Sequence, residues 1–219
     1  VVDEEDRARN LETIRDATAQ ADLVITHAHV HAWDADNGLS APPRFLETFA
    51  RECIDAGTDL FIAEGSHAPL RGIEIHQGKP IIYDPGDLIR TSNDNPMTRY
   101  PADFYLNNAD SLTTDPRAAL PSEGFAAYKD RDVLNPPGGY RSGAVNGFVI
   151  PVCEFDESLG LEKIELHPGV HLENTTGLAG IPTIPEGDET ELIIDHIATL
   201  SEEYGTDIGF DGDVGIIHL

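Results

Sequence analysis

The sequence predicts an α/β fold with mixed sheets, on three observations. First, residues 21–26 are β-rich, residues 42–54 carry an apolar stripe at helical spacing, and residues 58–63 are apolar again. Strand, helix and strand in that order form a βαβ unit, whose strands run parallel and whose crossover is right-handed. Second, later apolar runs pair across turns, 72–76 with 80–83 and 148–155 with 161–167. Third, 40% of the 219 residues are hydrophobic, enough to build the core of one domain.

The first twenty residues read as a helix. Asp3 is placed to cap it, acids fill its first turn, and Leu11, Ile14 and Ala17 recur near the helical period. The β-rich run leads into His27-Ala28-His29-Val30-His31, and a loop over 34–40 follows. Pro42-Pro43 opens the second helix; Phe45, Leu46, Phe49, Ala50, Cys53 and Ile54 form its stripe, and Gly57 ends it. Gln77-Gly78-Lys79 is the turn of the first hairpin. Residues 84–144 are rich in Pro, Asn, Asp and Gly, with short helical candidates at 101–106 and 122–128. An irregular insertion of this length carries function, covers a site, or is simply solvated. Residues 182–187 read as a linker, 190–204 as an amphipathic helix on Leu192, Ile193, Ile197 and Leu200, and 214–219 as a closing strand. A single domain over 1–219, without internal repeats, is the expected organisation.

Acidic residues number 40 against 14 basic ones, for a formal net charge of −26. That balance argues against nucleic-acid binding, because phosphate neutralisation needs Lys and Arg in excess, and it disfavours anionic membrane surfaces. Lys79, Lys129 and Lys163 are the only lysines. Abundant acid with little lysine resembles the proteins of salt-loving archaea, in which screening relieves self-repulsion. Cys53 and Cys153 are too few for a disulfide framework. No run of 18 apolar residues suits a membrane span, and Val1-Val2 followed by acids lacks a signal-peptide pattern.

His27, His29 and His31 alternate, so on a strand all three point to one face. Ligands in open α/β sheets bind at the carboxyl ends of strands, and neutral imidazole is the commonest metal ligand. Asp34 is near enough in sequence to add an oxygen. The alternative is three histidines each satisfied by backbone or water. The second strand ends in Glu64-Gly65-Ser66-His67, which parallel pairing brings beside the first strand's end; Gly65 makes the turn permissive. Asp84-Pro85-Gly86-Asp87 ends the next strand, either as a plain turn or with carboxylates at the same rim. Ser66 beside His67 makes a poor nucleophile–base pair, since adjacent side chains diverge and no third member is in view. His167 and His171 flank a Pro-Gly turn and read as structural; His196 borders the last helix's apolar stripe; Trp33 walls a pocket or simply packs.

Several blocks resemble the CapA/PgsA family of capsule (poly-γ-glutamate) biosynthesis proteins. Residues 21–25 leading to His29-Val30-His31 look like a metal-ligand block of that family. Phe49-Ala50-Arg51 and Ile54-Asp55-Ala56-Gly57-Thr58-Asp59-Leu60 look like its "FAR…IDAGAD" block. His67 with Leu70-Arg71-Gly72-Ile73-Glu74-Ile75 looks like "GHGPHVLRGIEIY", and residues 78–87 look like "GKPIFYSLGN/D". Residues 101–105, 205–208 and 213–217 resemble the C-terminal region of one branch.

The resemblance implies a calcineurin-like metallophosphoesterase fold, an αββα sandwich, of which this chain looks like the C-terminal part. The family's preceding Asp/Asn–Glu and Asn–Asn–His metal blocks have no counterpart here. It further implies metal ligands at His29, His31 and His67, with Glu64 standing where the family has a histidine, and one or two divalent ions such as Mn, Zn or Mg. His31 and Asp87 are the implied catalytic positions, Asp87 as a supporting carboxylate. Ala32 stands where the family has an acid, which removes a general acid or base. The expected function is a metal-dependent hydrolase of cell-envelope polymer synthesis, acting through metal on an anionic polymer or phosphoester and facing the cell surface. The alternative is a non-catalytic scaffold beside a membrane synthase.

Overall fold

The computed structural model describes residues 2–34, 40–66, 70–88, 101–107, 109–112, 114–124, 147–171 and 181–219. Helix α1 (Glu4–Thr18) starts where expected: the Asp3 carboxylate accepts from the Glu5 and Asp6 amides, and Leu11 and Ile14 are buried. Strand β1 (Ile25–His29) follows, then α2 (Arg44–Ala56), closed by Gly57 at φ +120°. Helix α2 buries Leu46, Ala50, Cys53 and Ile54, whereas Phe45 at the helix start is exposed. Strand β2 (Leu60–Glu64) pairs with β1 in parallel, with His27 opposite Ile62 and His29 opposite Glu64. Strands β3 (Ile73–His76) and β4 (Lys79–Ile82) form the hairpin, turning on Gln77 and Gly78, both at positive φ. The first sheet therefore runs β1-β2-β4-β3, three strands parallel and β3 reversed.

Within the expected insertion lie α3 (Ala102–Asn107) and a short 3-10 turn, Ala109–Ser111. Much of 84–144, including part of the 122–128 candidate, lies outside the described residues. The second sheet is antiparallel. Strands β5 (Gly147–Phe155) and β6 (Leu161–His171) form a long hairpin. The short β7 (Pro182–Thr183) and β9 (Gly215–His218) share the other edge of β6, and β8 (Gly209–Phe210) pairs with β9. Two expectations change here. The 182–187 linker begins as a strand, because Thr183 and Pro182 pair with Val170 and His171. Pro168-Gly169 is not a turn but lies inside β6. Pro168 falls between the stretch of β6 paired with β9 (163–166) and that paired with β7 (170–171), so its missing N–H breaks no ladder bond.

Helix α4 (Glu189–Ser201) buries Ile193, Ile194, Ile197 and Ser201; Leu192, expected on the apolar face, is 55% exposed. The Ser201 hydroxyl accepts from the Ile73 amide at 3.0 Å, fastening the helix end to β3.

Burial alternates along β2, and that places the layers. Phe61 and Ala63 join α1 and α2 in one core, with Leu11, Ile14, Leu46, Ala50 and Cys53. Leu60 and Ile62 face the other way, into a second core with Ile73 and Ile82, Val149, Ile164, Leu166 and Ile217 of the second sheet, and α4. Helices α1 and α2, the first sheet and the second sheet thus stack as layers around two cores, with α4 packed into the second. The cysteines are free: Cys53 is in the first core and Cys153 packs against the second. A part-buried ion pair braces α2 against β3. Arg51 donates to both Glu74 oxygens, at 2.8 and 3.0 Å, and the Tyr83 hydroxyl donates to Glu74 at 2.6 Å. Among the described residues, no helix is long and apolar enough to cross a membrane.

Candidate functional site

The parallel register brings the two strand ends together. Residues opposite each other in a parallel pair face the same side, so Ile25, His27 and His29 share the face of Leu60, Ile62 and Glu64. That face is covered by the second core at β2. At β1, the outer strand, it is open: Ile25 is 56% exposed, and His27, His29 and His31 are all exposed. Thr26, Ala28 and Val30 turn the opposite way, with Ala28 and Val30 packed on the helical core. The alternation read from the sequence is therefore realised, and the histidines lie on the solvent-open side.

The geometry of the cluster is specific. His29 Nδ1 is hydrogen-bonded to Glu64 Oε1, and His27 Nε2 lies 3.5 Å from the same oxygen. His29 Nε2 approaches His31 Nε2 at 2.7 Å, with ring centroids 4.6 Å apart. A carboxylate on Nδ1 assigns the proton to that nitrogen and leaves the Nε2 lone pair facing His31. Glu64, expected as a ligand, thus sits behind His29 and orients it. Gly65 holds the floor at φ +94°; a Cβ there would meet His31 Cδ2 at 3.0 Å and His29 Cε1 and Nε2 at 3.1 Å. Glycine is needed both for the backbone angle and for the space the two rings occupy.

Beneath this floor lies a buried charge pair that sequence reading underrated. Arg71 is 1% exposed and Asp84 3%. The Asp84 carboxylate accepts from the Ser66 amide at 3.0 Å and the Gly86 amide at 2.9 Å. Burial pushes its carboxyl above the usual range, opposed by the Ser66 and Gly86 hydrogen bonds and by the Arg71 charge. Burial likewise lowers the Arg71 guanidinium, opposed by Asp84. Arg71 also donates to the Ala32 carbonyl at 2.7 Å, just past His31. The signal was an arginine between Leu70 and Ile73 in an otherwise apolar stretch, which needs a buried counter-charge.

The remaining expected residues fall as follows. His67 lies outside the described residues. Asp87 is half-buried one residue beyond Gly86, while Asp84 is the carboxylate that reaches the end of β2. Ser66 is buried, with its amide on Asp84. Asp34 bonds through its amide to the Ala41 carbonyl at 3.2 Å, and Trp33 is exposed. His167 pairs with Glu165 at 3.2 Å, and His171 packs on Phe148. His196 is partly buried, and burial lowers its imidazole. Among the described residues, no group of three or more His, Cys, Asp or Glu side chains is disposed to hold a metal ion. What is present is two imidazole nitrogens aimed at each other, one of them backed by a carboxylate. That donor set suits a borderline divalent metal as part of a site and falls short of a closed one.

Residues 1–92 match the family model described as bacterial capsule synthesis protein PGA_cap. Two uncharacterized proteins of Sinorhizobium fredii are each 30% identical over 225 residues, covering 98% of this chain and 45% of theirs. A probable polyglutamine synthesis accessory protein of Mycobacterium tuberculosis is 40% identical over 68 residues, covering 31% of this chain and 17% of its own. The chain therefore spans about half the length of the Sinorhizobium relatives.

Proposed function

We propose, on the premise that residues 1–92 carry the bacterial capsule synthesis pattern, that this chain serves capsule-type polymer biosynthesis through a divalent-metal half-site. The observation that carries the reading is the His29–His31 approach at 2.7 Å with Glu64 on His29 Nδ1, at the carboxyl ends of two parallel strands. His29 and His31 would hold the ion, with Glu64 fixing the tautomer of His29 and His67 adding a donor by resemblance. A divalent ion bound there supplies Lewis acidity and a water of lowered pKa. The chain's own part is to hold the two Nε2 atoms 2.7 Å apart on the exposed face of β1, where an anionic group reaches an ion bound to them. A surface of net charge −26 repels a bare polyanion, so a polymer such as poly-γ-glutamate, or a phosphoester, would be gripped through the cation. Hydrolysis is the reaction class this supports.

One observation favours a second reading, a scaffold that binds without catalysis beside a membrane synthase. Ala32 leaves no acid after His31, and the described donors stop at two converging imidazoles. Calorimetric titration of Zn²⁺ and Mn²⁺ in molar KCl, comparing the chain with a His29→Ala/His31→Ala variant, tests the metal site. Binding that the double variant abolishes is expected; equal heats from both proteins would sink it. Where metal binds, turnover of p-nitrophenyl phosphodiesters or γ-glutamyl polymers supports the hydrolase, and inertness on both supports the scaffold.

A further inference from the structure

We infer that Asp84 and Arg71 are positioning residues for the His29–His31 pair, holding it from two sides through their hydrogen bonds to the backbone beside each ring. The link to metal binding rests on the functional reading above; the link to imidazole geometry does not.

Three backbone segments meet at the pair. The Asp84 carboxylate takes the Ser66 amide at 3.0 Å and the Gly86 amide at 2.9 Å. The Arg71 amide donates to the Asp84 carbonyl at 2.9 Å, and its guanidinium donates to the Ala32 carbonyl at 2.7 Å. Ser66 is next to Gly65, where a Cβ would stand 3.0–3.1 Å from both rings, and Ala32 is next to His31. Moving Ser66 moves the floor, and moving Ala32 moves one ring. Both partners are almost wholly buried, so neither charge is screened by water and neither is cheaply left without the other. A buried pair spent on loop backbone, when apolar residues would fill the same volume, points to geometry as what it secures.

Asp84→Asn tests this directly. It keeps one acceptor oxygen but turns an amide N–H₂ toward the second backbone N–H and removes the Asp84 charge that acts on Arg71. Arg71→Lys keeps the charge and loses the planar reach to Ala32. Glu74→Gln is the control, since it weakens a part-buried ion pair between α2 and β3, with β2 and β4 lying between β3 and the His29 strand β1. The first readout needs no metal: imidazole ¹⁵N chemical shifts of His29 and His31, which report tautomer and hydrogen bonding. Both site variants should shift these signals while Glu74→Gln leaves them in place. The second readout is Zn²⁺ affinity, expected to fall by about 10- to 100-fold in both site variants, as for loss of supporting partners at metal sites. Unchanged imidazole signals in folded Asp84→Asn and Arg71→Lys would overturn the inference. If Asp84→Asn does not fold, Arg71→Lys decides alone. Absence of metal binding in the unmodified chain would overturn the metal reading and leave the imidazole comparison to decide this one.

Discussion

Gly65→Ala is the sharpest probe of the site, because the structure separates its two costs. At φ +94° an L side chain is strained, by about 1–2 kcal/mol for a left-handed backbone conformation. The methyl would also stand 3.0 Å from His31 Cδ2 and 3.1 Å from His29 Cε1 and Nε2, so the rings must retreat by a few tenths of an ångström. Gly78→Ala isolates the first cost, since Gly78 sits at φ +75° with nothing within 4 Å of its Cβ position. Both variants should therefore lose about 1–2 kcal/mol, a fall in Tm of about 2–8 °C for a chain of this length. The rings are exposed and yield sideways, so the steric part appears as displacement more than as energy. Thermal unfolding followed by circular dichroism measures the first effect, and imidazole ¹⁵N spectra measure the second. Only Gly65→Ala should disturb the His29–His31 contact. Identical imidazole spectra in the two variants would refute the packing argument, and an undiminished Tm in both would refute the backbone argument.

Two further outcomes are expected. Arg7 donates to Glu52 at 2.7 Å through Nε and holds its carboxyl below the usual range. A folded-state value below the unfolded one gives stability that is full above about pH 4.3 and disappears as pH falls through the folded value. Urea midpoints of the chain and of Glu52→Gln should thus differ at pH 7 and converge on acidification; a gap that widens below pH 4 would contradict this. The net charge of −26 makes stability rise from about 0.1 M to 2 M KCl, as the Debye length contracts from about 10 Å to a few ångströms. A flat dependence would reject adaptation to salt.

Much of the fold was legible because its signals are local. The Asp3 cap, the 42–54 stripe, the Gln77-Gly78 turn and the strand runs each sit within one element, where periodicity and turn chemistry act. The errors came where neighbours decide. Leu192 fits a helical stripe by type, yet Ile194 is buried instead, because packing against β6 and Gly215 selects the face. Pro168-Gly169 reads as a turn by composition, yet β6 runs through it where no ladder bond is needed on the proline's open side.

The sequence by itself determined that His27 and His29 share a face, since a strand has a period of two; His31, past the end of β1, was placed beside His29 by the fold. The sequence also determined that Glu64 follows the next parallel strand to the same end. Tertiary structure decided the rest. Among the described residues it left the histidine face exposed, with β1 the outer strand, and it set Glu64 behind His29. It also buried Asp84 with Arg71 beneath Gly65. Those choices depend on contacts between segments as far apart as Ala32, Ser66, Arg71 and Asp84, and spacing along a chain carries no record of which distant charges will meet.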